Sequence, residues 1–250
     1  MPRSLYFHHI PKTGGTSVDA WLKSSTKLRV APSHLWSAML KSESRHERFE
    51  FYSGHFYRPL KDFLGFDLDV VTVLRDPIDR TISHFEHVLR ARDHYFYDHV
   101  NRHKSLLEFV LDPITRPLVE NFQTKCLVDS FDPVKLAATL SADVHPHALE
   151  QLIETRPFGT LPIDAAKAAR SYLESALCIG VTENLDDFIR IVARHLNLAT
   201  PDGLHRLNVK PSDSLSAAKL TTEERDAIEK ATAIDRLIHD FAYNAGQSYR

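Results

Sequence analysis

The stretch that most constrains this chain is a short apolar run over residues 5–10, Leu5-Tyr6-Phe7-His8-His9-Ile10. It breaks into Pro11-Lys12-Thr13-Gly14-Gly15-Thr16-Ser17 and resumes with Val18, Trp21 and Leu22 at helical spacing. A run of that length suits a buried strand, the paired glycines supply a tight turn, and a helix over 16–23 comes next. A strand delivered by a tight turn into a helix is the repeating unit of parallel α/β sheets. The turn also carries chemistry: a helix N-terminus offers unpaired amide donors, and glycines let the backbone wrap an anion, so a phosphate group is expected there. A plain strand-to-helix turn with a solvated lysine would use the same residues. The ordinary P-loop pattern GxxxxGK[ST] is absent, because Lys12 precedes the glycine pair.

The unit recurs along the chain. Residues 49–53 alternate aromatic and polar side chains like a second strand, and Asp69-Val70-Val71-Thr72-Val73-Leu74 is the β-branched run of a central parallel strand. After it Asp76 is placed to cap a helix with Pro77 in its first turn, and Ile78, Ile82, Phe85 and Leu89 recur at helical spacing. Ser105 and Glu108 stand at capping-box spacing, and Leu118, Phe122 and Cys126 share a stripe that predicts a helix over 118–128. Residues 177–181 read as another buried strand, leading into a helix with Phe188, Ile191, Val192 and Leu196. One amphipathic helix is expected from its cap at Thr222 through Ile228 and Ile234 to Phe241. The expectation is an α/β fold: a single P-loop-like domain over 1–250, with a mostly parallel central sheet flanked by helices. Ligands of such sheets bind beyond the strand carboxyl ends, where the first two loops both emerge.

Composition narrows the partners. With 43% hydrophobic and 26% charged residues among 250, the chain can bury one sizeable core. A formal net charge of −2 supplies no global attraction for nucleic acid or an anionic membrane, so a polyanion must be met by a local patch. No apolar run is long enough to span a bilayer, and Met1-Pro2-Arg3-Ser4 with the short run after it is too brief and polar for a signal peptide. A cytoplasmic location is therefore expected, although a fragment of a luminal protein would have the same composition. The two cysteines, Cys126 and Cys178, sit in apolar stretches without metal-ligand spacing and are expected as buried free thiols.

Two motifs together resemble the PAPS-dependent sulfotransferases, especially carbohydrate sulfotransferases of the heparan 2-O type. Pro11-Lys12-Thr13-Gly14-Gly15-Thr16-Ser17 resembles the loop that grips the 5'-phosphosulfate of PAPS, and the segment from Val73 through Arg75-Asp76-Pro77 to Ser83 and Phe85 resembles the family's 3'-phosphate motif. The resemblance implies that Arg75 and Ser83 contact the 3'-phosphate; a guanidinium forks onto phosphate oxygens and a hydroxyl adds one donor. An ion pair of Arg75 with Asp76 or Asp79 is the alternative. Tyr52-Ser53-Gly54-His55-Phe56 resembles the segment that supplies a catalytic base, implying that role for His55, with His9 in reserve and Glu50 or Glu86 open because other members use a glutamate. Alternatively His55 is a structural histidine among aromatics. Glu120-Asn121-Phe122-Gln123-Thr124-Lys125 resembles an Asn-x-x-Thr-Arg segment beside the cofactor, implying contacts from Thr124 and Lys125, the lysine lacking the planar fork of the usual arginine. Gly180-Val181-Thr182-Glu183-Asn184-Leu185 matches a segment that shapes the sheet and the next helix. Leu207-Asn208-Val209-Lys210-Pro211-Ser212 resembles a late loop over the nucleotide, implying contacts from Asn208 and Lys210.

The reaction implied by the resemblance is transfer of a sulfuryl group from PAPS to an acceptor hydroxyl, carbohydrate-containing, with PAP as product and no metal required. His84/His87, His99/His103 and His145/His147 pair at short spacing among 15 histidines, but no carboxylate-bearing motif such as HExxH supports a metal. The run 90–99, mixing arginine, histidine and aromatics, either lines an acceptor cleft or packs its aromatics on the core. Two rivals remain: an ATP-dependent kinase, which needs a bridging metal, and a non-catalytic nucleotide-binding regulatory protein.

Overall fold

The computed structural model describes residues 3–140, 147–156, 162–200 and 215–248. Strand β1 (Ser4–His8) runs into helix α1 (Gly15–Ser25), and α2 (Trp36–Lys41) leads to β2 (Phe51–Gly54). Then come α3 (Pro59–Leu64), β3 (Leu68–Leu74) and α4 (Pro77–Arg90). Before the last strand the chain forms α5 (Tyr97–His103), α6 (Leu106–Leu111), α7 (Phe122–Val128), α8 (Pro133–Ala138), α9 (Ala148–Thr155) and α10 (Pro162–Ser175). Strand β4 (Cys178–Val181) is followed by α11 (Leu185–His195), α12 (Thr222–Ala231) and α13 (Ala233–Ser248).

The strands form one sheet in the order β2-β1-β3-β4, and every pairing is parallel, with Tyr6 opposite Tyr52 on one side and Val70 on the other. Alternation of side chains sorts the core into two layers. Leu5, Phe7, Val71 and Val73 meet Val18, Trp21 and Leu22 of α1 and Phe188 and Val192 of α11. Tyr6, Tyr52 and Leu74 face the opposite side, where α4, α7, α10, α12 and α13 contribute Ile82, Phe122, Leu173, Ile228 and Ile238. The connection after β1 leads to β2 on one flank, whereas β3 leads on to β4 on the other. The loops leaving β1 and β3 therefore part at a topological switch point, the ordinary ligand crevice of an open parallel sheet.

Two predicted helices are each broken in two. The 118–128 stretch is a 3₁₀ turn at Arg116–Leu118 and then α7, because Asn121 takes a left-handed conformation (φ 43°). From there its Oδ1 accepts from the amides of Ile234 (2.9 Å) and Asp235 (3.3 Å), capping α13. Asp235 answers by accepting from the amides of Gln123 and Thr124 at the start of α7 (3.1 and 2.7 Å). The terminal helix breaks at Thr232, and its cap is Thr221 rather than Thr222: Thr221 and Glu224 form a reciprocal capping box. Ser105 caps α6 as its spacing predicts, accepting from the Glu108 amide (3.3 Å). Cys126 and Cys178 are buried free thiols. Among the described residues no helix is long and apolar enough to cross a membrane.

Candidate functional site: a cationic loop pair at the strand carboxyl ends

Two backbone positions shape the loop after β1. Lys12 (φ 73°) and Gly14 (φ 81°) are both left-handed; glycine adopts this without cost, whereas a lysine is strained by about 1–3 kcal/mol and must be held there. Two arginines of the β3–α4 unit hold it. Arg80 Nε donates to the Pro11 carbonyl (3.2 Å) and Arg75 Nη1 to the Lys12 carbonyl (3.1 Å). Gly14 is the N-cap of α1 and no side chain caps the helix; the Ser17 amide donates to the Gly14 carbonyl (3.2 Å), and the Gly15 and Thr16 amides ahead of it are the ones placed to face an anion. Gly15 leaves room for a neighbour: a Cβ there would lie 2.0 Å from the His9 ring. Thr13 is buried and donates its hydroxyl to the Ile10 carbonyl (2.9 Å), Ser17 is buried, and Thr16 is exposed beside them.

Cations gather around this loop. Lys12 is brought down to about 8, first by burial and then by the charges of Arg80, Arg90 and Arg75, which Glu86 offsets only in part. Arg80 is only 1% exposed; besides Pro11 it donates to the Leu118 carbonyl and lies over the Phe122 ring (4.0 Å), yet its Nη2 has no partner. Burial lowers its pKa, and no acidic side chain is bonded to it among the described residues. Ser83 lies half-buried on α4, one turn beyond Arg80 and one before His87 and Glu86. On that face His84, His87 and His94 keep their imidazoles neutral through burial, His87 and His94 falling to about 4. Asp235 and Glu154 act on Arg80 without a bond and Glu86 meets Arg90 at 4.0 Å, whereas Lys12 and Arg75 have no bonded carboxylate among the described residues.

The end of β4 ties the two loops together. The single hydroxyl hydrogen of Thr182 is shared between the Thr13 carbonyl (2.7 Å) and the Leu74 carbonyl (3.1 Å). Glu183 Oε1 accepts from the Asp76 amide (2.9 Å), while Oε2 meets His239 Nε2 of α13 (3.2 Å). Asp76 Oδ1 caps α4 as predicted, accepting from Ile78 and Asp79, and its Oδ2 receives Arg236 (2.7 Å). Arg75 is clamped along its backbone as well: Gln123 accepts from its amide and donates to its carbonyl, both at 2.9 Å. The Asp76 carboxylate is thus engaged in capping and with Arg236, Asp79 gives only its amide to that cap, and the Arg75 side chain bonds the loop rather than either of them.

His55 stands at the same edge, just beyond β2. Its Nδ1 lies 2.8 Å from the His9 carbonyl, which can only accept, so Nδ1 carries the proton and Nε2 keeps its lone pair. Burial lowers its pKa to about 4, with His34 and Lys12 adding to the effect, so the ring is neutral at physiological pH. His9, stacked on Phe7 and 4.6 Å from the His55 ring, is pushed well below the usual imidazole range by burial.

Other sequence candidates lie elsewhere. Thr124 is buried, with its hydroxyl on Asp235 (2.7 Å), and Lys125 donates to the carbonyls of Glu154 (2.8 Å) and Arg156 (2.6 Å). Both side chains are bonded within the protein, not at the loops, because α7 turns this face toward α9 and α13. Glu50 precedes β2 and accepts from the Arg29 amide, at the opposite edge of the sheet. Glu86 is buried and accepts from the Leu215 amide (2.7 Å). Asn208 and Lys210 fall outside the described residues, as does His145. In the 90–99 run Phe96 is buried and Tyr95 donates to Glu154, so these aromatics pack inward, whereas Arg92 and Asp93 are exposed. His99 donates to Asp112 (2.5 Å), and no metal-binding group of three ligands exists among the described residues.

Sequence reasoning missed Arg80, Gln123, Thr182 and Glu183. Arg80 lies opposite the Ile78–Ile82–Phe85 stripe of α4, where periodicity assigns solvent; α4 is instead covered on both sides, with Arg80 and His84 buried. No family model matches the chain, and no curated protein is significantly similar to it.

Proposed function

We propose that the chain is a PAPS-dependent sulfotransferase acting on the hydroxyl of a carbohydrate-containing acceptor. One observation carries the reading: two arginines from the β3–α4 unit hold the Lys12 loop in a left-handed conformation, and neither Lys12 nor Arg75 has a bonded carboxylate among the described residues. A phosphosulfate with a second phosphate about one nucleoside away suits such a paired site, the 5' end meeting Lys12 and the α1 amides and the 3' end Arg75 and Ser83.

The donor supplies the sulfuryl group: its sulfur–oxygen bond to phosphate breaks as a bond from sulfur to the acceptor oxygen forms, and PAP departs. His55 Nε2, neutral and unprotonated, takes the hydroxyl proton. Lys12 and the first-turn amides of α1 neutralise charge on the departing bridging oxygen, an interaction strongest in the transition state. Arg75 keeps Nε and Nη2 for phosphate while Nη1 holds the Lys12 carbonyl. Nothing in this scheme calls for a metal.

Calorimetric titration with PAP, with ATP in parallel and Arg75→Ala as control, tests the reading. Micromolar PAP binding that the variant weakens into a still measurable range, with ATP much weaker, supports it. Absence of PAP binding by folded protein overturns it, and magnesium-dependent ATP turnover would put a kinase in its place.

A further inference from the structure

The segment Thr182-Glu183 lies outside the groups assigned to donor or acceptor, yet its bonds reach both halves of the site. Thr182 joins the Lys12 loop to the end of β3, and Glu183 joins the loop after β3 to α13. We propose that Glu183 is a positioning residue for the anion site, orienting Arg75 through the Asp76 amide while α13 holds Glu183 in place. The proposal rests on the sulfotransferase reading for what the site binds, but not for how Arg75 is set.

Three observations converge on it. First, the peptide linking Arg75 to Asp76 is held on every side: Gln123 takes the Arg75 amide and carbonyl, Glu183 the Asp76 amide, and Arg236 the Asp76 carboxylate. From that fixed backbone the Arg75 guanidinium reaches the Lys12 carbonyl, so the position of the Arg75–Asp76 peptide sets where the guanidinium starts. Second, Glu183 uses both oxygens, one on each element, so it cannot turn away without leaving an amide or an imidazole unpartnered. Third, the charges facing it form a closed set. His239 faces Glu183, Asp76 and Arg236, with Asp240 3.6 Å from its Nδ1. Burial works against its charge, but Glu183 and Asp76 outweigh burial and raise its pKa. Glu183 is held low in turn: burial opposes its charge, and the bonds to His239 and the Asp76 amide prevail. An ionised Glu183 is the stronger acceptor for the amide.

Two arms test the proposal. In the ligand-free protein, the NMR signal of the Arg75 side-chain Nε–H reports the guanidinium directly. Glu183→Ala should move it toward the position of free arginine, and Glu183→Gln, which keeps an acceptor for the Asp76 amide, should leave it near wild type. An unmoved Arg75 signal in Glu183→Ala overturns the proposal whatever the ligand. If Glu183→Ala fails to fold, Glu183→Asp takes its place, since the shorter carboxylate cannot reach both partners; the same shift is expected and its absence is equally decisive. In the second arm, Glu183→Ala should weaken PAP about tenfold, and by nothing further in an Arg75→Ala background, the signature of residues acting through one another. Additive losses overturn the positioning role. If the wild-type protein binds no PAP, the sulfotransferase reading falls and the first arm alone decides the positioning.

Discussion

Two groups of charges meet at the carboxyl ends of β3 and β4, only a few residues apart, and they are built on opposite plans. On the α13 side each charge has its counterpart: Arg236 on Asp76 at 2.7 Å, and His239 on Glu183 at 3.2 Å. On the loop side Lys12, Arg75, Arg80 and Arg90 lie together; Glu86 meets Arg90, Asp235 and Glu154 act on Arg80 without a bond, and Lys12, lowered first by burial and then by the arginines, falls to about 8. A balanced network lowers its own energy and needs nothing more. An unbalanced one is held together at a cost by the surrounding fold, and that cost falls when an anion arrives. On the function proposed, charge balance separates the structural half of this edge from the half that would meet the donor.

The contrast breaks most sharply at Lys12. Lys12→Ala should lower turnover with PAPS by about two to three orders of magnitude while leaving the melting temperature unchanged or slightly raised, because it relieves repulsion in the free protein. Equal turnover in a folded variant would sink the catalytic reading. A pH titration sharpens the same comparison. The folded pKa of Lys12, about 8, lies below its unfolded value, so between pH 8 and the ordinary lysine range the unfolded chain binds more protons and the free protein gains stability as pH rises. Anion affinity should run the other way, falling about tenfold per pH unit above 8. With PAP bound the lysine should stay charged and the upward trend disappear; calorimetry across pH 6–10 would show both. If His55 is the base, kcat/KM should also fall below about pH 4, where its ring becomes protonated. The smallest effect belongs to the balanced side: Arg236→Ala should cost about 0.5–1 kcal/mol by thermal denaturation, since that arginine is partly exposed and its bridge is screened. A loss of several kcal/mol would mean the two halves are less separable than their charges indicate.

The strands were legible because each is a short apolar or alternating run, and the observed limits differ from the expected ones by at most two positions. Asp76-Pro77 announced α4 through a cap and a fixed φ, and the structure bears that out in detail. Asp132-Pro133 carries the same signal before α8, but a six-residue helix completes too few turns for periodicity to confirm it. The broken helices had a different origin. Leu118, Phe122 and Cys126 do share a face, and the interruption at Asn121 comes from a bond to α13 more than a hundred residues away, which no local pattern encodes. At the site, glycines and Lys12 could be read because backbone freedom and charge are local properties. Gln123, Glu183 and Arg80 could not, since their roles are fixed by carbonyls and amides of other segments; Thr124 and Lys125 were assigned to a ligand although their partners are Asp235, Glu154 and Arg156.

The reciprocal caps between Asn121 and Asp235 also set an order of events during synthesis. The Lys12 loop and Arg75 leave the ribosome early, but the groups that fix Arg75 arrive late: Gln123 is oriented by a helix that Asp235 caps, and Arg236 and His239 come from the same late helix. At ordinary elongation rates some 160 residues separate β3 from α13, roughly 10–30 s of translation. Until α13 is complete, the backbone that carries Arg75 lacks the partners this last helix supplies.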